Sequence, residues 1–285
     1  SIRFVQRNCN WLQALEGDID TSHFGFLHAG SAELDDFQDD HPMRHTVTNR
    51  APDYHVTDTD WGTSYGAYRL EENGSMSWRI ANFVFPFWTQ APNSDFFTNV
   101  GVRAWVPMDD DHTMVVLISW KKSPGAYTGM PLKNGKPIPG FAPNIDYLPN
   151  TNDWYGRWRP VARWENDYEI DRDAQRQNII YSGIKMVFMQ DQAVTESMGG
   201  ITDHAFEHLV SSDQMIARTR RRVLKAALSL QDEGKLPPGV SNPEAMWRAR
   251  SGTFHTEAHE DWQVAYEKNL KNAVRVISST PLTKV

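Results

Sequence analysis

The sequence predicts an α+β fold, with helices packed against one antiparallel sheet. Three observations predict it. Two pairs of apolar runs are each joined by a short polar turn. A long amphipathic stretch occupies the last third of the chain. A shorter helical spacing, Trp11, Leu12, Leu15 and Ile19, comes before both.

Taken in order, residues 9–28 read as helix, weakened by Gly17 and Gly25. Residues 30–62 are polar, rich in Asp and His, and read as mostly loop. TSYGAYRLE and SMSWRIANFVFPFW flank E-N-G, a hairpin with Asn73-Gly74 as its turn signal. FTNVGVRAWVPM and TMVVLISW flank D-D-D-H as a second hairpin. Residues 122–165 are rich in Gly, Pro, Asn and Trp and read as a surface excursion. Trp154, Tyr155 and Trp158 within it need somewhere to pack. Ile179–Met189 reads as a further strand. Ser211 or Ser212 caps a long helix, with Asp213 in its first turn. Its face, Ile216, Thr219, Val223, Ala227 and Leu230, runs on until Pro237 and Pro238. A last helix covers Ala258–Val274. Without an internal repeat, residues 1–285 read as a single domain.

Composition narrows the function. The 285 residues include 11 Trp, 13 Phe and 9 Tyr, enough rings to fill a large core or line a site for a flat ligand. A formal net charge of -7 disfavours nucleic acid as a partner, which asks for a basic face. Arg218, Arg220, Arg221 and Arg222 form a basic run that reads as a solvated or subunit-facing side of a helix. Cys9 is the only cysteine, so an internal disulfide or a site with several Cys ligands is excluded. The stretch SIRFVQRNCNW has no signal-peptide apolar core. The longest clean apolar run, Met114–Ile118, is too short to span a bilayer. The expectation is a cytoplasmic protein with no membrane partner.

Three histidine pairs compete as sites. His23 and His28 are spaced H-x4-H, with Asp20 three residues before His23. On a regular helix residues five apart are rotated by about 140°, so the rings converge only if the helix carries a π-bulge or ends near Gly25. Asp20 and His23 share a face, and such a carboxylate can fix a histidine tautomer. His204 and His208, in H-A-F-E-H, match an inverted zinc-peptidase motif with Glu207 as general base. His255 and His259, also four apart, read as a solvated, charged helix face.

The block C-N-W-L-Q-A-L-E-G-D-I-D-T-S-H-F-G-F-L-H, Cys9 to His28, resembles the catalytic domain of Rieske non-haem iron oxygenases. It looks closest to the phthalate dioxygenase and aryl-ether demethylase branch, which carries D-x2-H-x4-H. A second block, Q-D-Q-A-V-T-E-S-M-G-G from Gln190 to Gly200, resembles the segment holding that family's metal carboxylate. The following D-H-A-F-E-H-L-V-S-S-D also resembles this branch. The resemblance implies that His23 and His28 bind Fe(II) with Asp191 as carboxylate, a 2-His-1-carboxylate facial triad. It implies that Asp20 bridges His23 to a Rieske-cluster histidine on a neighbouring subunit. It implies a helix-grip fold, an antiparallel sheet curved around a long C-terminal helix, and O2-dependent hydroxylation or O-demethylation of an aromatic compound.

The family also carries a Rieske [2Fe-2S] domain held by two Cys and two His, and one cysteine cannot supply it. Either the chain is a fragment of a longer oxygenase, which is the favoured expectation, or the Rieske centre is on another chain; in both cases the isolated chain is expected to be inactive. Electrons would come from a Rieske centre on a neighbouring subunit and a reductase or ferredoxin, within a homotrimer or hexamer. Two rivals remain at this point. One is a helix-grip module that binds a ligand and no iron. The other is a zinc hydrolase built on His204, Glu207 and His208.

Overall fold

The computed structural model describes residues 1–273 apart from 40, 42, 72, 94, 122–130 and 142–143. Eight strands form one antiparallel sheet: β1 (Ile2–Arg7), β2 (Asp53–Asp58), β3 (Gly62–Leu70), β4 (Ser75–Val84), β5 (Trp88–Gln90), β6 (Asn99–Pro107), β7 (Thr113–Lys121) and β8 (Gly252–Glu257). The helices are α1 (Trp11–Ile19), α2 (Arg44–Thr48), α3 (Arg172–Arg176), α4 (Val187–Ser197), α5 (Gln214–Glu233) and α6 (Trp262–Leu270), with short 3-10 and π turns between. The strand order is β1-β7-β6-β5-β4-β3-β2. β4 pairs with β3 along one edge and shares its other edge between β8, at Ser75–Ile80, and β5, at Asn82–Val84.

The alternation of side chains along a strand explains why β4 is almost wholly buried. Ala81 and Phe83 join Leu15, Ile19, Tyr65, Trp105 and Met215 in the core beneath α1 and α5. Trp78 and Ile80 face the opposite way, into a cluster with Phe96, Phe254, Trp262 and Tyr266 under α6. The long helix α5 lies over β3 and touches α1, which is the helix-grip arrangement of an α+β domain. Phe83 and Phe85 belong to the core, whereas Trp88 packs beside Trp61 and Val84 on the other side.

Both expected hairpins form. Gly74 takes a φ of +82°, which the turn after Glu71 requires and which only glycine adopts without strain. The long helix begins at Gln214, after a 3-10 turn over Ser211–Asp213, and ends at Gly234 in the left-handed region. Of its expected face, Ile216, Thr219 and Val223 meet the core, while Ala227 and Leu230 are exposed.

Four expectations are corrected. The helix over 9–28 is two elements: α1 stops at Ile19 and a π-helical turn covers Phe24–His28. The mostly-loop stretch 30–62 contains α2 and the paired strand β2. Ile179–Met189 is not a strand. A tight turn at Gly183, φ +73°, leads into α4, whose first turn buries Phe188 and Met189. The last helix is shorter than 258–274: the Asp261 side chain accepts from Gln263 and Val264 N–H and starts it at Trp262, and residues 252–257 pair with β4 as β8; residue 274 lies outside the described residues. β1, which pairs with β7, precedes the stretch first read as ordered.

In the excursion, residues 122–130 and 142–143 lie outside the described residues. Elsewhere in it Trp158 stacks on Phe4 with ring centroids 5.4 Å apart, and Tyr155 packs on the His112 ring at 4.4 Å. Trp154 stays exposed. Leu132 and Ile138 are buried against Phe24, Phe37 and Met43, so the excursion covers the π-helical turn. Among the described residues no helix is long and apolar enough to cross a membrane.

Candidate metal centre

The chain leaves α1 at Asp20, whose extended backbone ends the helix. The Asp20 carboxylate then accepts the backbone N–H of Ser22 at 2.8 Å and of His23 at 3.2 Å, and so caps the next turn. From Phe24 to His28 that turn is π-helical, with Ala29 N–H donating to Phe24 O at 3.1 Å. The wider turn removes the angular offset of a regular helix. It brings the His23 and His28 Nε2 atoms to 3.1 Å of one another.

Two residues account for the widened turn. Arg50 donates to the carbonyls of Gly25 at 2.5 Å, Ala32 at 3.3 Å and Ala29 at 3.5 Å, oxygens that an unbroken α-helix would pair internally. Gly25 lets Arg50 approach, because a Cβ there would lie 3.1 Å from Arg50 Cβ and 3.2 Å from Thr46 O. Thr21, at the break, accepts from Arg79 Nε of β4 at 2.9 Å. Ser22 Oγ lies 2.7 Å from Tyr54 Oη of β2.

The third donor comes from α4. Gln13 of α1 donates to Thr195 O at 2.6 Å and Gly199 O at 2.9 Å. Glu196 is buried and accepts from Asn8 N, Gln192 Nε2 and Tyr168 Oη at 2.7, 2.7 and 2.6 Å. These bonds fix α4 against α1 and β1. Asp191 then presents Oδ1 at 2.9 Å from His28 Nε2 and 3.4 Å from His23 Nε2.

Two nitrogens and one oxygen therefore form a triangle with edges of 2.9, 3.1 and 3.4 Å. Donors at right angles on an ion, each about 2.1 Å from it, stand about 3 Å apart. The triangle fits one face of an octahedral site, and two imidazoles with one carboxylate are the donor set that suits Fe(II).

The electrostatics agree with a cation site. Burial alone would raise the Asp191 pKa, but the His28 and His23 imidazoles hold it far below the usual carboxylate range. Burial would lower the His23 pKa, yet hydrogen bonds to Asp191 and Asp20 lift it to about 10. Asp20 itself is held below its ordinary value: burial opposes this most strongly, but the hydrogen bond to His23 Nδ1 at 3.2 Å, the His23 charge and the backbone N–H groups of Ser22 and His23 together outweigh it. Without a cation, the site keeps a proton on His23 between two carboxylates. Phe24 and Phe141 stand edge-on to the His28 ring at centroid distances of 5.3 and 6.5 Å and shield it.

The other candidates are not assembled. His204 lies in a 3-10 turn with Nδ1 3.3 Å from Glu207, but Glu207 is clamped by Arg220 and His208 Nδ1 faces Phe206 O. These three do not converge on one point. His255 is on β8 rather than a helix and pairs with Glu71. Asp109, Asp111 and His112 converge on an exposed turn, where Asp109 is already engaged by Tyr155 and His112. Within the basic run Arg221 is exposed, and the other three arginines are paired. Arg218 binds Asp58, Arg222 binds Thr59 O, and Arg220 clamps Glu16 and Glu207.

Sequence reasoning missed Arg50, Tyr54 and Gln190. Arg50 and Tyr54 fall in the stretch read as loop. Gln190 stands beside Asp191 in Q-D-Q, and only its position distinguishes it. Its Oε1 is 2.6 Å from His28 Nδ1. A cavity of about 630 Å³ lies on the outer side of α4, lined by Leu27, Trp164, Tyr181, Gln190 and Val194, with none of the three donor residues in its wall.

Residues 1–276 match the family model described as LigXa C-terminal domain like. The chain is 46% identical over 272 residues to the 3-chlorobenzoate-3,4-dioxygenase oxygenase subunit of Comamonas testosteroni, covering 95% of this chain and 63% of that protein. It is 28% identical to the phthalate 4,5-dioxygenase oxygenase subunit of Pseudomonas putida, covering 78% and 49%. It is 26% identical to the phenoxybenzoate dioxygenase subunit alpha of Ectopseudomonas oleovorans, covering 87% and 50%. The chain thus spans about half to two-thirds of the length of these relatives. With the fold, the two motif blocks and this match in agreement, the chain belongs to the LigXa C-terminal-domain-like family of Rieske oxygenase catalytic domains.

Proposed function

We propose that the chain is the single catalytic domain of a Rieske-type oxygenase that oxidises an aromatic carboxylic acid with Fe(II) and O2. The observation that carries this is the triangle of His23 Nε2, His28 Nε2 and Asp191 Oδ1, shaped as one face of an octahedron. Three protein donors on one face leave the opposite face for O2 and substrate. The three relatives support the substrate class, since their names give chlorobenzoate, phthalate and phenoxybenzoate.

In this reading His23, His28 and Asp191 hold Fe(II). Fe(II) held there would supply the redox chemistry by which O2 oxidises an aromatic substrate. Asp20 accepts the Nδ1 proton of His23 and so keeps Nε2 free for the metal. In the assembled oxygenase Asp20 also faces a Rieske histidine of a neighbouring subunit and shortens the electron path. The [2Fe-2S] cluster, a reductase or ferredoxin, and a trimeric or hexameric assembly complete the system, which works in the cytoplasm.

The test is anaerobic. Fe(II) is added, then nitric oxide, and the EPR spectrum is recorded with and without benzoate-type acids. A stoichiometric high-spin iron–nitrosyl signal, lost in His23→Ala and altered by an aromatic acid, is expected. No signal from folded, iron-loaded protein contradicts the reading and favours a module that binds a ligand without chemistry.

A further inference from the structure

A histidine binds a metal through one ring nitrogen only when the proton sits on the other. At His23 the Asp20 carboxylate meets that need. His28 has no carboxylate on its Nδ1 side. It has Gln190, whose Oε1 is 2.6 Å away. An amide is ambiguous in a way a carboxylate is not, since it offers an acceptor at one end and a donor at the other. Something must decide which end faces the ring.

Two backbone carbonyls decide it. The other end of the Gln190 amide lies 2.8 Å from Ile184 O and 3.5 Å from Gly140 O. Carbonyl oxygens only accept, so the NH2 group must face them. The Gln190 oxygen is therefore turned to His28. It can only accept there, so His28 Nδ1 must carry a proton, and Nε2 is left as the ring nitrogen that can take a metal. Gln190 is 1% exposed, so a bond lost here leaves a buried polar atom unpaired. At Gly140, φ +84°, a Cβ would lie 2.7 Å from Gln190 Nε2. A side chain at that position would push the amide out of place.

We propose that Gln190 is the positioning residue for His28, fixing its metal-binding tautomer from the carbonyls of Ile184 and Gly140. The inference rests on the reading of His23, His28 and Asp191 as a metal centre. It adds a chain of dependence that the ligands do not reveal. The excursion at Gly140 and the turn at Ile184 set the amide, the amide sets the imidazole, and neighbouring residues of α4 supply both the positioner and the carboxylate ligand. The two histidines also differ: His23 leans on an anion and His28 on a neutral dipole. A second carboxylate at Gln190 would place another buried negative charge beside Asp191.

Co(II) as probe separates the possibilities. In proton NMR of the Co(II)-loaded protein, each bound histidine gives one exchangeable, strongly shifted ring N–H. Wild type is expected to show two such signals, both slow to exchange with water. Gln190→Leu should leave the His23 signal in place, speed exchange of the His28 signal or abolish it, and weaken Co(II) binding about 10- to 100-fold. Gly140→Ala, whose Cβ would crowd the Gln190 amide nitrogen, should speed exchange of the His28 signal and leave the His23 signal in place; it serves if the leucine variant does not fold. Two unchanged signals in Gln190→Leu with affinity within about twofold of wild type, or an unchanged His28 signal in folded Gly140→Ala, would overturn the proposal and leave the metal centre standing. Failure of wild type to bind Co(II) or give the shifted pair would overturn the metal-centre reading itself.

Discussion

His23 lies between Asp191 and Asp20, and the two carboxylates favour its protonated form. Its pKa rises from an ordinary 6.5 to about 10 in the folded, metal-free protein. A raised folded-state pKa contributes stability that is fully present below the unfolded value and lost as pH rises through the folded one. Metal-free protein should therefore lose thermal stability progressively between about pH 6.5 and 10, and His23→Gln should flatten that slope. Thermal melts across this range check it; an equal slope in the variant would place the titration elsewhere. Since a ligand must shed this proton, Fe(II) binding at pH 7.5 should release about one proton per chain. Calorimetry in buffers of different ionisation enthalpy reads that number. Zero release would mean that His23 is not a ligand.

The π-helical turn is the element that makes the pair a site. H-x4-H was legible as residues, but the regular helix in which it was first read points the rings apart. Convergence depends on Arg50 and Gly25; the H-x4-H spacing makes a π-bulge or a helix end near Gly25 its condition, but nothing in the sequence points to Arg50. We expect Gly25→Val to crowd Arg50 and Thr46 O, cost about 1–3 kcal/mol and weaken Fe(II) binding at least tenfold. Urea unfolding and anaerobic metal titration check the two effects; unchanged affinity would mean that the turn does not set the ligands. The two hairpins and α5 were legible because their apolar residues keep one period over many positions. Ile179–Met189 misled because the buried start of α4 presents a short apolar run, which periodicity alone cannot assign to strand or helix. β2 and β8 escaped because their polar residues, such as His55 and His255, sit on half-exposed strands.

Over the whole molecule, the site depends on holding α1, α4 and α5 against one sheet. Arg220 of α5 clamps Glu16 of α1 and Glu207, and burial pushes the Glu16 pKa upward despite that partner. Arg220→Ala leaves Glu16 buried without its cation and should cost about 3 kcal/mol. A loss under about 0.5 kcal/mol in urea would return this residue to the solvated face its sequence context suggests. The metal set, by contrast, was read from two motif blocks and their resemblance to a family. Spacing could not join Asp191 to histidines so far away in the chain; only the fold does that, through Gln13, Glu196 and the packing of α1 on α4. The measurement that bears hardest on this account is anaerobic equilibrium binding of Fe(II) to the wild type and four single variants. One Fe(II) per chain, lost in His28→Ala and Asp191→Ala and kept in His204→Ala and His112→Ala, is the predicted result. Binding that survives Asp191→Ala, or disappears in His204→Ala or His112→Ala, would contradict it.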